Sequence, residues 1–353
     1  MKSRHPLTQK LLDWYGIHAR PLPWRKAPEP YSTWLSEVIL QQTRVDQGTA
    51  YWERFMAAFP TVTQLASAET EEVMALWKGL GYYSRARNLH LSAKRIVAER
   101  GGRLPENAAD WAALPGIGPY TAAAISSICF GEAVPVVDGN VQRVISRLFD
   151  IADPVDRKTG RAAVLHACEA LIDPHDPGTS NQAWMELGAL VCAPRNPDCP
   201  SCPLAHACLA HAHGTALDRP VKQPKKPPQN VEVLFSVSLR KTATGPEWWV
   251  ETRPAKGICS QLESFPCTVT PMQPPAAPPA SLQQVPTEPS DRFGPVRHVL
   301  THRIMTAWFT VDTAGPAKAK TGGRWVEVAS GQANWPRLIE KVLPELRAWI
   351  VKN

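Results

Sequence analysis

Between Cys192 and Cys208 four cysteines stand in the order C-x6-C-x2-C-x5-C, inside the stretch VCAPRNPDCPSCPLAHACLA. Its prolines and the central Cys-x-x-Cys bend the backbone tightly enough to turn several sulfurs toward one point. A chain with such a stretch must fold a closed loop there, and thiolates so packed usually hold a metal centre. Cys192, Cys199, Cys202 and Cys208 suit either a tetrahedral zinc or a [4Fe-4S] cluster. Structural zinc sites come mostly as two short pairs, whereas one short pair inside a longer loop wraps a larger object. The spacing therefore favours the cluster and leaves zinc, or unligated thiols, as alternatives. His206 and His211 lie close enough in sequence to replace a thiolate in a zinc site, but four cysteines already fill a shell.

Cys129, Cys168, Cys259 and Cys267 follow no regular spacing, and the amino-terminal MKSRHPLTQKLLDWY holds no apolar run able to act as a signal peptide. A reducing, cytoplasmic location is the expectation. No apolar stretch approaches the ~20 residues needed to cross a bilayer, so a soluble chain with no membrane role is expected.

The 353 residues change character at Asp218 to Asn230, DRPVKQPKKPPQN, where prolines deny backbone donors and lysines favour solvent. The expected division is a helical domain over 1–217, a linker over 218–230 and a second domain over 231–353. Upstream, nine segments place apolar residues three and four apart: TQKLLDWYGIHA, YSTWLSEVILQQT, QGTAYWERFMAAF, ETEEVMALWKGL, SRARNLHLSAKRIVAE, PYTAAAISSICF, NVQRVISRLF, RKTGRAAVLHACEALI and NQAWMELGALVC. Downstream, VEVLFSVSLRK, EWWVETRP, MTAWFTVDT and GRWVEVA alternate like strands, and PRLIEKVLPELRAWIVK reads as one closing helix. The fold class is thus multidomain, an all-α domain followed by a smaller α+β one. A second Pro-rich run, Pro271 to Pro289, reads as a surface loop. The net charge of +7 favours a polyanionic partner, although charge alone does not decide this.

Three segments carry candidate chemistry. In LPGIGPYTAAAI, starting at Leu114, Gly116 and Gly118 permit a tight turn and Pro119 suits the first turn of a helix. Such a turn aims backbone N–H groups at a phosphate, or is simply a helical hairpin. In VPVVDGNVQRV, Asp138 is either a helix N-cap or a carboxylate shielded by Val134, Val136 and Val137 that stabilises a nearby cation, and both roles are compatible. Glu37 lies in YSTWLSEVILQQT, on a helix that Ser32 can cap, among apolar neighbours that would raise its pKa and make it a general acid. The alternatives are a surface glutamate or a salt bridge to Arg44 or Arg25.

Together LPGIGPYTAAAI, VVDGNVQRV, SEVILQQTRV, GLGYYSRARNL and the cysteine loop resemble the helix-hairpin-helix DNA glycosylases with an iron-sulfur cluster. Within that superfamily the chain is most similar to the adenine DNA glycosylase family, the MutY type. The resemblance implies a monofunctional enzyme of base excision repair that hydrolyses the N-glycosidic bond of adenine opposite 8-oxoguanine or guanine in double-stranded DNA, acting as a monomer. It implies Glu37 as the acid that protonates adenine, Asp138 as the carboxylate facing the sugar cation, and Tyr120 and Asn140 beside them. It also implies one [4Fe-4S] cluster on the four cysteines. Contacts to DNA would come from Gln42, Tyr82, Leu114, Gly116 and Gly118, and an adenine pocket from Trp24, Gln182 and Met185. Tyr82 and Tyr83 could instead be core aromatics, and Arg85, Arg87 and Lys94 are read as backbone contacts or a solvated face.

The endonuclease III type shares hairpin and cluster but carries a lysine nucleophile where Tyr120 stands, and a tyrosine cannot form a Schiff base. That lyase, acting on oxidised pyrimidines, is the alternative enzyme; a noncatalytic DNA-binding or iron-sulfur protein is the alternative class. The downstream domain resembles the nudix-like module that the family uses to recognise 8-oxoguanine, with Thr301 and His302 in the place of its Ser-His and Leu300 replacing its aromatic. Gly257 to Glu263 keeps only a fragment of a nudix pattern, so pyrophosphate hydrolysis is not expected.

Overall fold

A computed structural model describes residues 4–26, 28–224, 227–254, 262–272, 292–300, 302–312, 323–329, 333 and 335–352. The chain forms two units, Met1–Pro224 and Lys225–Asn353. In the first, the nine expected segments are helical: α1 (Pro6–His18), α3 (Pro30–Leu40), α4 (Val45–Ala58), α6 (Thr70–Trp77), α7 (Ser84–Arg100), α9 (Pro119–Phe130), α10 (Gly139–Leu148), α11 (Lys158–Leu171) and α12 (Pro177–Leu190). Short helices α2 (Pro23–Lys26), α5 (Val62–Ser67), α8 (Ala108–Ala112) and α13 (Leu209–Ala212) join them. Four to six residues are too few to show a helical period, so these escape pattern reading. No described helix is long and apolar enough to cross a membrane.

Two apolar cores organise this unit. One gathers Trp34, Leu35 and Ile39 of α3 with Phe55, Trp77, Leu89 and Trp111. The other gathers Leu11 and Trp14 of α1 with Val144, Ile145 and Leu148 of α10, Val164 of α11 and Leu187 of α12. Burying each such side chain contributes roughly 1.5–3 kcal/mol, so the two cores fix their helices independently. Helix α9 packs on both α3 and α12, and α12 packs on α10, so α9 and α12 link the helices that carry the two cores.

Helix α3 departs from expectation at its start. Pro30 occupies the first helical turn and Glu29 precedes it without a side-chain cap, while Ser32 is buried inside the helix. The proline's fixed φ nucleates the turn and leaves no N–H there to satisfy.

The expected linker is also shorter than its composition suggests. Val155 N–H donates to Val221 O at 3.0 Å, Gln223 N–H reaches the Asp156 carboxylate at 3.0 Å, and Arg147 Nε donates to Ala216 O at 2.7 Å. Residues 218–224 are thereby tied to the first unit, and the second begins its first strand at Gln229.

That strand, β1 (Gln229–Thr242), runs through a mixed sheet with β2 (Gly245–Thr252), β3 (Glu263–Ser264), β4 (Cys267–Pro271), β5 (Arg292–Val299), β6 (Arg303–Asp312) and β7 (Gly323–Glu327). The main order is β3-β2-β1-β6-β5, with β1 and β6 parallel and β5 and β6 antiparallel. Alternate residues of β1, from Val231 to Leu239, face a core shared with Phe265, Phe309, Leu338 and Leu346. Strand β5 gave no clear signal because Gly294-Pro295 interrupts it, and the register shifts there, between Phe293 and Val296. The closing helix is two, α14 (Arg337–Glu340) and α15 (Leu343–Lys352), because Pro344 lacks the N–H that would continue the first.

Candidate active site

Each carboxylate is placed by its local sequence. Glu37 stands one turn before the end of α3 and is 8% exposed. Asp138 caps α10, its Oδ1 accepting from Val141 N–H at 2.7 Å and its Oδ2 from Asn140 Nδ2 at 2.8 Å. The apolar run before it is pinned by Asn181 of α12, whose amide donates to Val134 O and accepts from Val136 N–H. Asp138 is thus the N-cap of α10, with its carboxylate half-buried.

Tyr120, in the first turn of α9, donates its hydroxyl to Glu37 Oε2 at 2.6 Å. These groups line one cavity of about 280 Å³ with Asp138, Asn140, Trp24, Gln182 and Met185. Burial raises the Glu37 pKa; the Tyr120 hydrogen bond opposes this, the Asp138 charge adds to it, and the carboxyl is pushed up to about 7. Burial also raises Asp138, against the pull of Val141 and Asn140. Tyr120 is pushed far up by burial and by Glu37, so it stays a hydroxyl.

The cavity is also lined by Arg20 and Glu186, to which sequence reading gave no role. Glu186 of α12, 1% exposed, accepts from Arg20 Nε at 2.8 Å, Arg20 Nη2 at 2.9 Å and Arg25 Nη2 at 3.0 Å. Burial alone would raise Glu186, but the two guanidinium groups more than offset it and hold the acid at about 2. Arg25 thus pairs with Glu186 rather than with Glu37. The only sequence hint was the pair of arginines in RPLPWR.

Asn140 joins this cavity to the cysteine loop. Its Oδ1 accepts from Arg143 Nη2 at 2.9 Å, and Arg143 Nε donates to Cys192 O at 2.7 Å. Helices α10 and α12 approach closely at this point: a Cβ on Gly188 would lie 2.6 Å from the Asn140 side chain. In the loop itself, Cys192, Cys199, Cys202 and Cys208 line one apolar cavity with Val144, Leu148, Leu187 and Leu204. Burial raises the thiols of Cys202, to about 11, and Cys208, and each is raised further by the other cysteines it faces. Arg147, 2% exposed, donates Nη1 to Cys192 Sγ at 3.2 Å.

The hairpin turn precedes α9. Gly116 has φ +75, and a Cβ there would lie 2.5 Å from the Asn88 side chain, so glycine is required twice over. Gly118 caps α9 at an ordinary φ of −88 in open space and needs no glycine for conformation. Leu114 is 7% exposed and sits in the first core, leaving only its backbone to meet a ligand. Gln42 and Tyr82 lie outside the cavity wall, at φ +61 and +47, and Tyr82 is 55% exposed while Tyr83 packs on the core. Arg85 is not a surface cation: it is 9% exposed.

A family model described as HhH-GPD superfamily base excision DNA repair protein matches residues 35–168. The adenine DNA glycosylase of Rattus norvegicus is 35% identical over 378 residues, covering 90% of this chain and 73% of that one. This chain belongs to the adenine DNA glycosylases. The Arabidopsis thaliana adenine DNA glycosylase is 40% identical over 296 residues, and there the match covers 73% of this chain but 47% of the relative's length. Among solved structures, a thermostable thymine-DNA glycosylase superposes with a TM-score of 0.54 at 26% identity, covering 58% of this chain and 95% of its own.

In this adenine DNA glycosylase fold, then, Glu37, Asp138, Tyr120, Asn140, Trp24, Gln182 and Met185 converge on one cavity, and the four cysteines on another. In the second unit, His302 is exposed at the turn between β5 and β6, and Leu300 packs against the core. Thr301 and Gly257 lie outside the described residues.

Proposed function

We propose that this chain is a monofunctional glycosylase of base excision repair that releases adenine mispaired with 8-oxoguanine or guanine in duplex DNA. The observation that carries the reading is the Tyr120–Glu37 hydrogen bond of 2.6 Å in a cavity that Asp138 also lines. Breaking an N-glycosidic bond requires a base made neutral as it leaves and a sugar cation that is tolerated as it forms. Glu37, ionising at about 7, holds a proton to give to N7 of the base. Tyr120 donates to Oε2 and so orients the carboxyl with its proton on the other oxygen. Asp138, fixed by Asn140 and the Val141 N–H, presents its charge to the sugar, either as an electrostatic partner or as a transient nucleophile. Water then takes the base's place on the sugar, leaving an abasic site. No amine stands where Tyr120 does, which argues against strand nicking through a Schiff base.

The base must leave the stack to reach this cavity. Gln42 and Tyr82 are proposed to fill the vacated space, and Gly116 and Gly118 to bring the backbone to a phosphate.

The cysteine cavity fits a [4Fe-4S] cluster: four thiols in apolar surroundings, with a buried guanidinium against one sulfur. When bound, the cluster would hold the loop closed and leave base release to the carboxylates. The second unit is proposed as a nudix-like reader of 8-oxoguanine, using Thr301 and His302.

The test is incubation with duplexes carrying adenine opposite 8-oxoguanine, adenine opposite guanine, or thymine glycol, with base release and nicking measured separately. Adenine release without nicking is expected. Release of thymine glycol with nicking would replace this reading by the endonuclease III type, and no release at all by a noncatalytic one.

A further inference from the structure

Helix α3 ends at Leu40 with carbonyls that have no partner within the helix. Arg85, from the first turn of α7, supplies donors for them: Nη1 reaches Val38 O at 3.0 Å, Ile39 O at 2.8 Å and Gln41 O at 2.5 Å. Its other nitrogen, Nη2, reaches Leu80 O at 3.4 Å and Gly81 O at 3.3 Å. Both lie near Thr43 Oγ1, at 3.4 and 3.5 Å. The Arg85 N–H donates to Tyr82 O at 2.9 Å, and the guanidinium lies over the rings of Trp77 and Tyr82, 5.0 and 5.7 Å from their centroids.

All these acceptors are neutral, so a 9% exposed cation is held by backbone dipoles instead of by an acid. Ordering two chain segments is what such an arrangement achieves. Both segments contain non-glycine residues in the left-handed region, Gln42 at φ +61 and Tyr82 at φ +47. A left-handed residue with a side chain costs of order 1–3 kcal/mol and persists only where its surroundings impose it. Arg85 is bonded to the residue before each of them, Gln41 and Gly81, and to the residue after Gln42, Thr43.

We propose that Arg85 is a positioning residue, clamping the end of the Glu37 helix to the Gly79–Tyr82 turn so that Gln42 and Tyr82 are presented together for extrusion of the target base. This rests on the function proposed above. Lysine cannot replace it, because one ammonium cannot serve both segments as the planar fork does.

The full-length protein tests this by single-turnover adenine release from two duplexes, one with adenine paired to 8-oxoguanine and one with adenine facing an abasic site, already unpaired and so cheaper to extrude. Arg85→Lys is expected to slow release from the paired duplex by on the order of 10- to 100-fold, and to slow release from the unpaired one much less. In a Tyr82→Ala background the same change should cost clearly less, since contacting residues are not additive. Equal slowing on both duplexes, full additivity with Tyr82→Ala, or no slowing would each overturn the proposal. Should Arg85→Lys not fold, Thr43→Val, which removes one guanidinium partner, replaces it in the same cycle. If the wild type itself releases adenine from neither duplex, the function reading has failed instead.

Discussion

Glu37 and Glu186 face one cavity from α3 and α12, 8% and 1% exposed. Burial pushes both upward, yet one reaches about 7 and the other rests at about 2. Glu37 has a hydroxyl donor and a neighbouring carboxylate; Glu186 has two guanidinium groups. Burial alone therefore does not set ionisation here, and the charges beside each carboxyl decide whether its push survives. The cavity thus holds a transferable proton on Glu37 and a fixed anion between cations on Glu186.

Substitutions that keep shape and remove charge separate the two carboxyls. Glu37→Gln should lower single-turnover adenine release by about 10²- to 10⁴-fold, the usual range for a general acid, with duplex binding retained in a gel-shift measurement. Unchanged release would remove Glu37 from the chemistry. Glu186→Gln acts first on folding: it leaves Arg20 and Arg25 facing a neutral amide, at a cost of about 3 kcal/mol, near the low end for a broken buried pair because Arg20 is one-third exposed. Urea unfolding at pH 7 measures this, and an equal midpoint would show that the pairing contributes nothing net.

Glu37→Gln should have the opposite effect on stability. The folded carboxyl releases its proton near 7 and the unfolded one near 4.5. Between those values the folded chain holds a proton that the unfolded chain has lost, so wild-type stability falls as pH rises through this window. The accumulated difference is about 3 kcal/mol above pH 7 and absent below about pH 4.5. Glutamine, with no charge to bury, should therefore be the more stable form at pH 8, and the advantage should vanish at pH 4. Equal stability at pH 8 would place Glu37 in contact with water. The smallest effect is expected of Tyr120→Phe: loss of the donor that favours the carboxylate moves the Glu37 ionisation upward, carrying the alkaline limb of release with it. A downward move would reverse the assigned role of the hydroxyl.

The sequence was most readable where period and side-chain type agreed. Glu37 amid apolar neighbours, Asp138 before a helix, and the glycine turn before Pro119 could all be placed, because each needs only local pattern. The Glu186 ion pairs could not: Arg20 and Glu186 are 166 positions apart, and only tertiary packing brings them together. Arg85 misled for a related reason, since a basic residue in a polar-looking helix gives no sign that backbone carbonyls will surround it. Leu114 was singled out for the motif it opens, although its side chain belongs to the core. In the second unit, alternation marked β1, β2, β6 and β7, whereas Gly294-Pro295 hid β5 and residues 218–224 looked like linker although they are bonded to the first unit.

The most direct measurement is the pH dependence of single-turnover adenine release from a duplex with adenine opposite 8-oxoguanine, from pH 5 to pH 9, for the wild type and Glu37→Gln. The wild-type rate should fall as pH rises through about 7, following loss of the Glu37 proton, and the variant should show a low rate without that limb. A wild-type limb that survives unchanged in Glu37→Gln would contradict the assignment of the proton to Glu37.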